Sequence, residues 1–151
     1  MKALIQEFSD YLRIEKRNSP HTVSAYRRDL IRFSTELAGQ KADSVTTADI
    51  RGFLLSLRDQ GLSSASVARS LSSIKSFFKY LNQDKQFKGN PAEILETPKR
   101  WRKLPDVLSP EDVDNLLKSP DTESVLGLRD KAMLEILYAS GLRVSELINL
   151  K

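Results

Sequence analysis

A chain of 151 residues holds one ordinary domain, or a small domain and part of another. Its 40% hydrophobic and 29% charged residues are the balance of a folded protein. No apolar run approaches the ~18 residues that a membrane span needs, and acids and polars mixed into the first residues argue against a secretory signal. With no cysteine, and His21 as the sole histidine, disulfides, thiolate metal sites and multi-histidine metal sites are excluded. A reducing cytoplasm fits this composition.

The formal net charge of +4 is unevenly spread. Residues 1–105 carry 19 basic and 11 acidic side chains, a net +8, whereas residues 106–151 carry 5 basic and 9 acidic, a net −4. Between Pro98 and Pro105 lie Lys99, Arg100, Arg102 and Lys103 with no acid. Charge concentrated in this way fits a polyanion partner, since neutralising phosphates releases counterions. It equally fits a solvated linker.

Apolar positions recur at three and four residues throughout, and no segment alternates with a period of two, so every predicted element is a helix. The first carries Leu4, Ile5, Phe8, Tyr11 and Leu12, and Asn18-Ser19-Pro20 breaks it. Thr22 is placed to cap a second, with Val23, Tyr26, Leu30, Phe33 and Leu37 inward and Gly39 at its end. Thr46 or Thr47 caps a third, with Ile50, Phe53, Leu54 and Leu57 inward, ending at Gly61. Ser63 or Ser64 opens a fourth through Val67, Leu71, Ile74, Phe77, Phe78 and Leu81. A short helix is expected from Ala92 to Glu96 after Asn90-Pro91. These make a compact bundle of four long helices and one short one, over residues 1–97.

The segment 98–105 is the natural boundary, because proline fixes φ and removes a backbone donor. Beyond it Ser109-Pro110-Glu111-Asp112 reads as a helix start. A further helix is expected from about Leu128 to Ala139, closed at Ser140-Gly141, and a last one begins near Val144.

Two helix faces are candidates for contact with DNA. Opposite the apolar stripe of the second helix stand Ser24, Arg28, Arg32 and Thr35 in one sector, with Arg27 nearer its flank. The fourth helix turns out Ala65, Arg69, Ser72, Ser76 and Lys79, with Ser73 and Lys75 beside them, and holds no acid from Leu62 to Asn82. Small side chains let a helix approach a groove, and cations reach phosphates or guanine edges. The same faces also suit ordinary solvent exposure.

The most distinctive motif is Gly141-Leu142-Arg143-Val144-Ser145-Glu146-Leu147. A glycine ends one helix, the next begins at once, and Arg143 stands at the corner with Glu146 three residues on. A fixed, forked cation suits the nonbridging oxygens of a phosphoryl-transfer site. An Arg–Glu pair tying two helices together is the alternative.

The stretch RDKAMLEILYASGLRVSELINL closely resembles the first catalytic box of tyrosine recombinases. SPHTVSAYRRDLIRF and LSPEDVDNLL resemble the Xer group in particular, somewhat nearer its XerD branch, and the resemblance runs through the whole chain. It implies a fold that is all-α over this chain: a SAM-like core-binding domain (1–97), a basic linker (98–105) and the first helices of an α/β catalytic domain (106–151). By resemblance Arg143 is the first catalytic arginine, gripping the scissile phosphate, and Glu146 is its acidic companion.

The family's sheet lysine, His-x-x-Arg box, later histidine or tryptophan, and nucleophilic tyrosine have no counterpart here. The chain is therefore expected to be cut before most of its active site and to be inactive alone. Of its four tyrosines, Tyr11, Tyr26 and Tyr138 are expected to pack and Tyr80 to lie toward the outside. The resemblance further implies site-specific cleavage and rejoining of duplex DNA through a phosphotyrosine intermediate, with cations in place of any metal cofactor. The implied partners are other recombinase subunits on a recombination site, with no membrane, and the implied role is chromosome dimer resolution at cell division. A stand-alone duplex-binding module, the integrase of a mobile element, and a purely helical interaction domain are the competing readings.

Overall fold

A computed structural model describes residues 1–85, 87, 89–96 and 107–150. The chain divides into two compact units, Met1–Trp101 and Arg102–Lys151. All regular structure among the described residues is helical.

The first unit begins with α1 (Lys2–Ile14), whose Ile5, Phe8 and Leu12 are buried at helical spacing. α2 spans Pro20–Glu36. Its cap is Ser19, whose hydroxyl accepts from the Thr22 amide at 3.2 Å, and not Thr22 itself. Pro20 lacks an amide hydrogen at a position where none is needed, so the helix starts three residues earlier than its polar spacing suggests. After Glu36 the chain leaves the helix through Ala38 and Gly39, both at positive φ (48° and 88°). A 3-10 turn at Ala42–Ser44, which the periodicity does not foreshadow, buries Ala42.

α3 (Thr47–Asp59) starts in a reciprocal capping box, with the Asp49 amide donating to the Thr46 hydroxyl and the Thr46 amide to Asp49 Oδ2 at 2.8 Å. α4 (Ser64–Asp84) is capped by Ser63. The short helix expected at Ala92–Glu96 is instead a turn over Pro91–Ile94. The Ala92 amide donates to Asn90 Oδ1 at 3.0 Å and the Thr47 hydroxyl to the Pro91 carbonyl at 2.7 Å, which folds the segment back so that Ala92 and Leu95 are buried.

The core of this unit is aromatic. Phe8, Phe33, Phe53, Phe77 and Phe78 are fully buried, each contributing roughly 1.5–3 kcal/mol by leaving water. Phe8 meets Phe77 edge-on at 5.6 Å, and Phe33 meets Phe53 at 5.0 Å. Tyr80, expected toward the outside, is only 6% exposed. It is drawn in by Tyr11 and Phe8, whose rings lie 4.8 and 5.5 Å away, and burial pushes its phenol pKa up.

In the second unit, α5 (Pro110–Lys118) opens with a Ser109–Asp112 capping box. α6 (Val125–Ser140) starts earlier than expected, because the Ser124 hydroxyl accepts from the Gly127 amide at 3.0 Å. Gly127 is required there: a Cβ would lie 1.8 Å from the Asp121 carbonyl oxygen. Gly141 closes α6 in the left-handed conformation, φ 65°, which suits a residue without a Cβ. α7 is a single turn, Val144–Leu147. Leu147 is the one buried large apolar residue among the described residues of this unit.

Candidate nucleic-acid interface

The outer face of α2 is assembled as its periodicity requires. Ser24, Arg27, Arg28, Arg32 and Thr35 are all exposed. Arg28 has no hydrogen-bond or ion-pair partner among the described residues, so its guanidinium is free to reach outward. Arg27 lies at the flank, lining a small groove with Ile31 and α1 residues Lys2, Ile5 and Gln6. Arg32 donates to Gln60 Oε1 at the end of α3, which ties the two helices together.

The outer face of α4 is less open than its sequence suggests. Ser73 is completely buried and its hydroxyl donates to the Ser70 carbonyl at 2.8 Å, which corrects its placement among the outward residues. The reason is helix geometry: Ser73 lies beside Ile74 and Phe77 on the side covered by neighbouring helices. Ser72 is half-buried and returns its hydroxyl to the Ala68 carbonyl at 2.9 Å. Lys75 is half-buried, with Nζ 3.4 Å from the Glu93 carbonyl. Lys79 is exposed and, with half-buried Ser76, lines a groove against Tyr11, Lys16, Asn18 and Gln83. Helix periodicity does not single out Lys16 and Asn18. They precede α2, and only the folding of α1 onto α4 brings them beside Lys79.

Arg69 does not simply turn outward. Its Nε donates to Asp29 Oδ2 at 2.9 Å and its Nη2 to Asp29 Oδ1 at 3.2 Å, a forked ion pair between α4 and α2. The Asp29 side chain is 8% exposed and the Arg69 side chain 40%. Hydrogen bonding to the carboxylate raises the Arg69 pKa further above its ordinary value, so its charge is permanent. The sequence pattern puts Asp29 on neither the core nor the outer face. The signal that could have found it is an acid set between the α2 cations Arg28 and Arg32, facing a helix that has no acid before Asp84.

The cations Lys99, Arg100, Arg102 and Lys103 lie outside the described residues.

In the second unit, the left-handed Gly141 turns the chain from α6 into α7 and leaves Arg143 at the corner. The Arg143 amide donates to Glu146 Oε2 at 2.7 Å and its Nη1 to Glu146 Oε1 at 3.2 Å. The Arg143 side chain is 82% exposed, so Glu146 holds it from one side while the rest of its fork faces solvent. This arrangement can accept one phosphate oxygen pair, but offers neither nucleophile nor general acid. Tyr138 is 66% exposed on α6 and so does not pack as expected, because none of the described elements of this unit covers that face.

The chain matches two family models: "Phage integrase, N-terminal SAM-like domain" over residues 5–85, and "Phage integrase family" over residues 106–151. It is 46% identical to the tyrosine recombinase XerD of Listeria innocua, covering all of this chain and 52% of that protein. It is likewise 46% identical to the XerD of Proteus mirabilis, over 97% of this chain and 48% of the relative. The solved structure of a XerA recombinase is similar with a TM-score of 0.51 at 25% identity, across 99% of this chain and 50% of that one. The chain thus spans about half the length of the relatives it matches. Among the described residues no helix is long and apolar enough to cross a membrane. With matches over both units, the chain belongs to the phage integrase family and carries that family's N-terminal SAM-like helical domain.

Proposed function

We propose that this chain is the duplex-DNA-binding part of a Xer-type site-specific recombinase, with the first catalytic arginine attached. The observation that carries the reading is the 46% identity with tyrosine recombinase XerD over the full length of the chain. The exposed cations of α2 and the absence of acids on α4 up to Asn82 support it, since a net +8 over residues 1–105 favours phosphate contact. In this reading residues 1–97 form the core-binding domain, 98–105 a basic linker along the phosphate backbone, and 106–151 the beginning of a catalytic domain. Arg28, Arg32, Lys79 and the linker cations meet DNA, with Arg27, Lys75, Ser24, Ser72 and Ser76 around them. The whole protein acts in the cytoplasm with other recombinase subunits, cutting and rejoining DNA through a phosphotyrosine in chromosome dimer resolution.

Arg143 holds the nonbridging oxygens of the scissile phosphate as charge develops, and Glu146 keeps its guanidinium oriented. The chain by itself supplies no nucleophile in the family's position. It therefore binds without cleaving.

Duplex binding measured across a salt series tests this. Replacing Lys99, Arg100, Arg102 and Lys103 together is expected to flatten the slope of log K against log salt by up to about 3.6, or about 0.9 for each phosphate no longer neutralised. A nicked substrate that traps cleavage products is expected to yield no covalent adduct with this chain. Failure to bind duplex DNA at low salt, or an adduct, would overturn the reading.

A further inference from the structure

We propose that Asp29 is a positioning residue which sets Arg69 to read a guanine in duplex DNA. The inference rests on the DNA-binding reading above and names the residue pair through which that surface distinguishes base sequence. Arginine has five N–H donors in a planar fork. Asp29 takes one from Nε and one from Nη2. The two hydrogens of Nη1 and the second hydrogen of Nη2 have no other partner among the described residues. One hydrogen of Nη1 and this second hydrogen of Nη2 form the end-on edge of the guanidinium, with the spacing that matches the O6 and N7 acceptors of guanine.

Burial is what makes the pair more than a surface contact. Asp29 pairs across α2 and α4 with a side chain only 8% exposed, so its carboxylate has little room to move. Arg69, by contrast, is 40% exposed in its side chain, which leaves its outer edge reachable. A free arginine loses considerable rotamer freedom when it binds a base; one already held by a buried carboxylate has lost most of it on folding. Arg28, exposed on α2 and without a partner among the described residues, has no such support and is suited to the less demanding geometry of a phosphate. Asp29 also screens the Arg69 charge, which lowers its attraction for phosphate in general and leaves directional bonding as its main contribution.

The test is selection of bound duplexes from a randomised pool by the whole 151-residue chain, with circular dichroism to verify that each variant folds. The wild type is expected to select a G·C pair at one position. Arg69→Lys keeps the charge and loses the fork. Asp29→Asn keeps the shape and loses the charge, and Asp29→Glu, which moves the charge by one methylene, serves if the asparagine variant does not fold.

Each variant is expected to lose roughly tenfold or more of its preference for that pair, within the range for a bidentate arginine–guanine pairing. Affinity for random duplex should fall far less, and combining Arg69→Lys with an Asp29 variant should add little, because the two act as one unit. Selection unchanged in Arg69→Lys or in the folded Asp29 variant overturns the proposal. So do equal losses on specific and random DNA, which would make the pair purely structural. A wild-type chain that binds no duplex overturns the DNA-binding reading itself, and is distinguished because it appears before any variant is compared.

Discussion

The two units are both built of well-capped helices but have unlike interiors. In Met1–Trp101 five phenylalanines and seven further aliphatic side chains are completely enclosed by helices crossing on several sides. In Arg102–Lys151, Leu126, Leu128 and Ile136 on α6, Val144 on α7 and Ile148 just after it remain exposed. Capping is as good in one as in the other, with boxes at Thr46–Asp49 and at Ser109–Asp112. The difference shows that caps decide where a helix begins, whereas a closed apolar layer decides whether it is stable. Contiguous exposed apolar surface of this kind favours mobility or association.

The largest expected effect of that contrast is on amide exchange in a dilute monomer. Interior amides of α2 and α4 are expected to exchange only through unfolding of the first unit, which at ~5 kcal/mol corresponds to protection of several thousandfold. Those of α5 to α7 are expected to be protected by at most about tenfold to a hundredfold. Equal protection in the two units would break the comparison. A smaller but more local effect comes from truncation. Phe77→Ala should destabilise the first unit by about 3–5 kcal/mol, since it opens a cavity beneath Phe8 and Phe78. Leu128→Ala, at a side chain 55% exposed, should change stability by less than about 0.5 kcal/mol. Urea unfolding followed by tyrosine and far-ultraviolet signals measures both.

The smallest effect is on acid sensitivity. Hydrogen bonds from the Thr46 amide and hydroxyl hold the Asp49 carboxyl below its ordinary pKa of 3.8. The Ser109 hydroxyl and amide do the same for Asp112. A carboxyl whose pKa is depressed on folding contributes stability that is complete above the unfolded value and is lost as pH falls through the folded one. Both contributions are therefore present at neutral pH and fade below pH 3.8. Asp49→Asn is expected to reduce the acid sensitivity of the main unfolding transition slightly. Asp112→Asn should leave that transition unmoved and act only on α5. A shift of the main transition by Asp112→Asn would show that the units unfold together.

Much of this molecule follows from local chemistry that a sequence displays. Apolar residues at three and four positions place Ile5, Phe8, Leu12, Phe33, Leu57, Leu71 and Phe77 in the core, and the structure buries them all. Gly141 and Arg143 stand at the α6–α7 corner as the motif spacing requires, because only a residue without a Cβ easily takes the left-handed turn. Other features depend on neighbours far along the chain. Tyr80 and Ser73 are buried because α1 and the other helices cover the sides of α4 on which they lie, and a helical wheel records no such neighbour. The turn at Pro91–Ile94 replaces a helix because Thr47, 44 residues earlier, donates to its carbonyl. Asp29 and Arg69 are 40 residues apart, and neither pattern nor propensity pairs them. Periodicity determines which side of a helix is apolar; only the packing of helices against one another decides which polar groups at the edge of that side are enclosed, and with which partner.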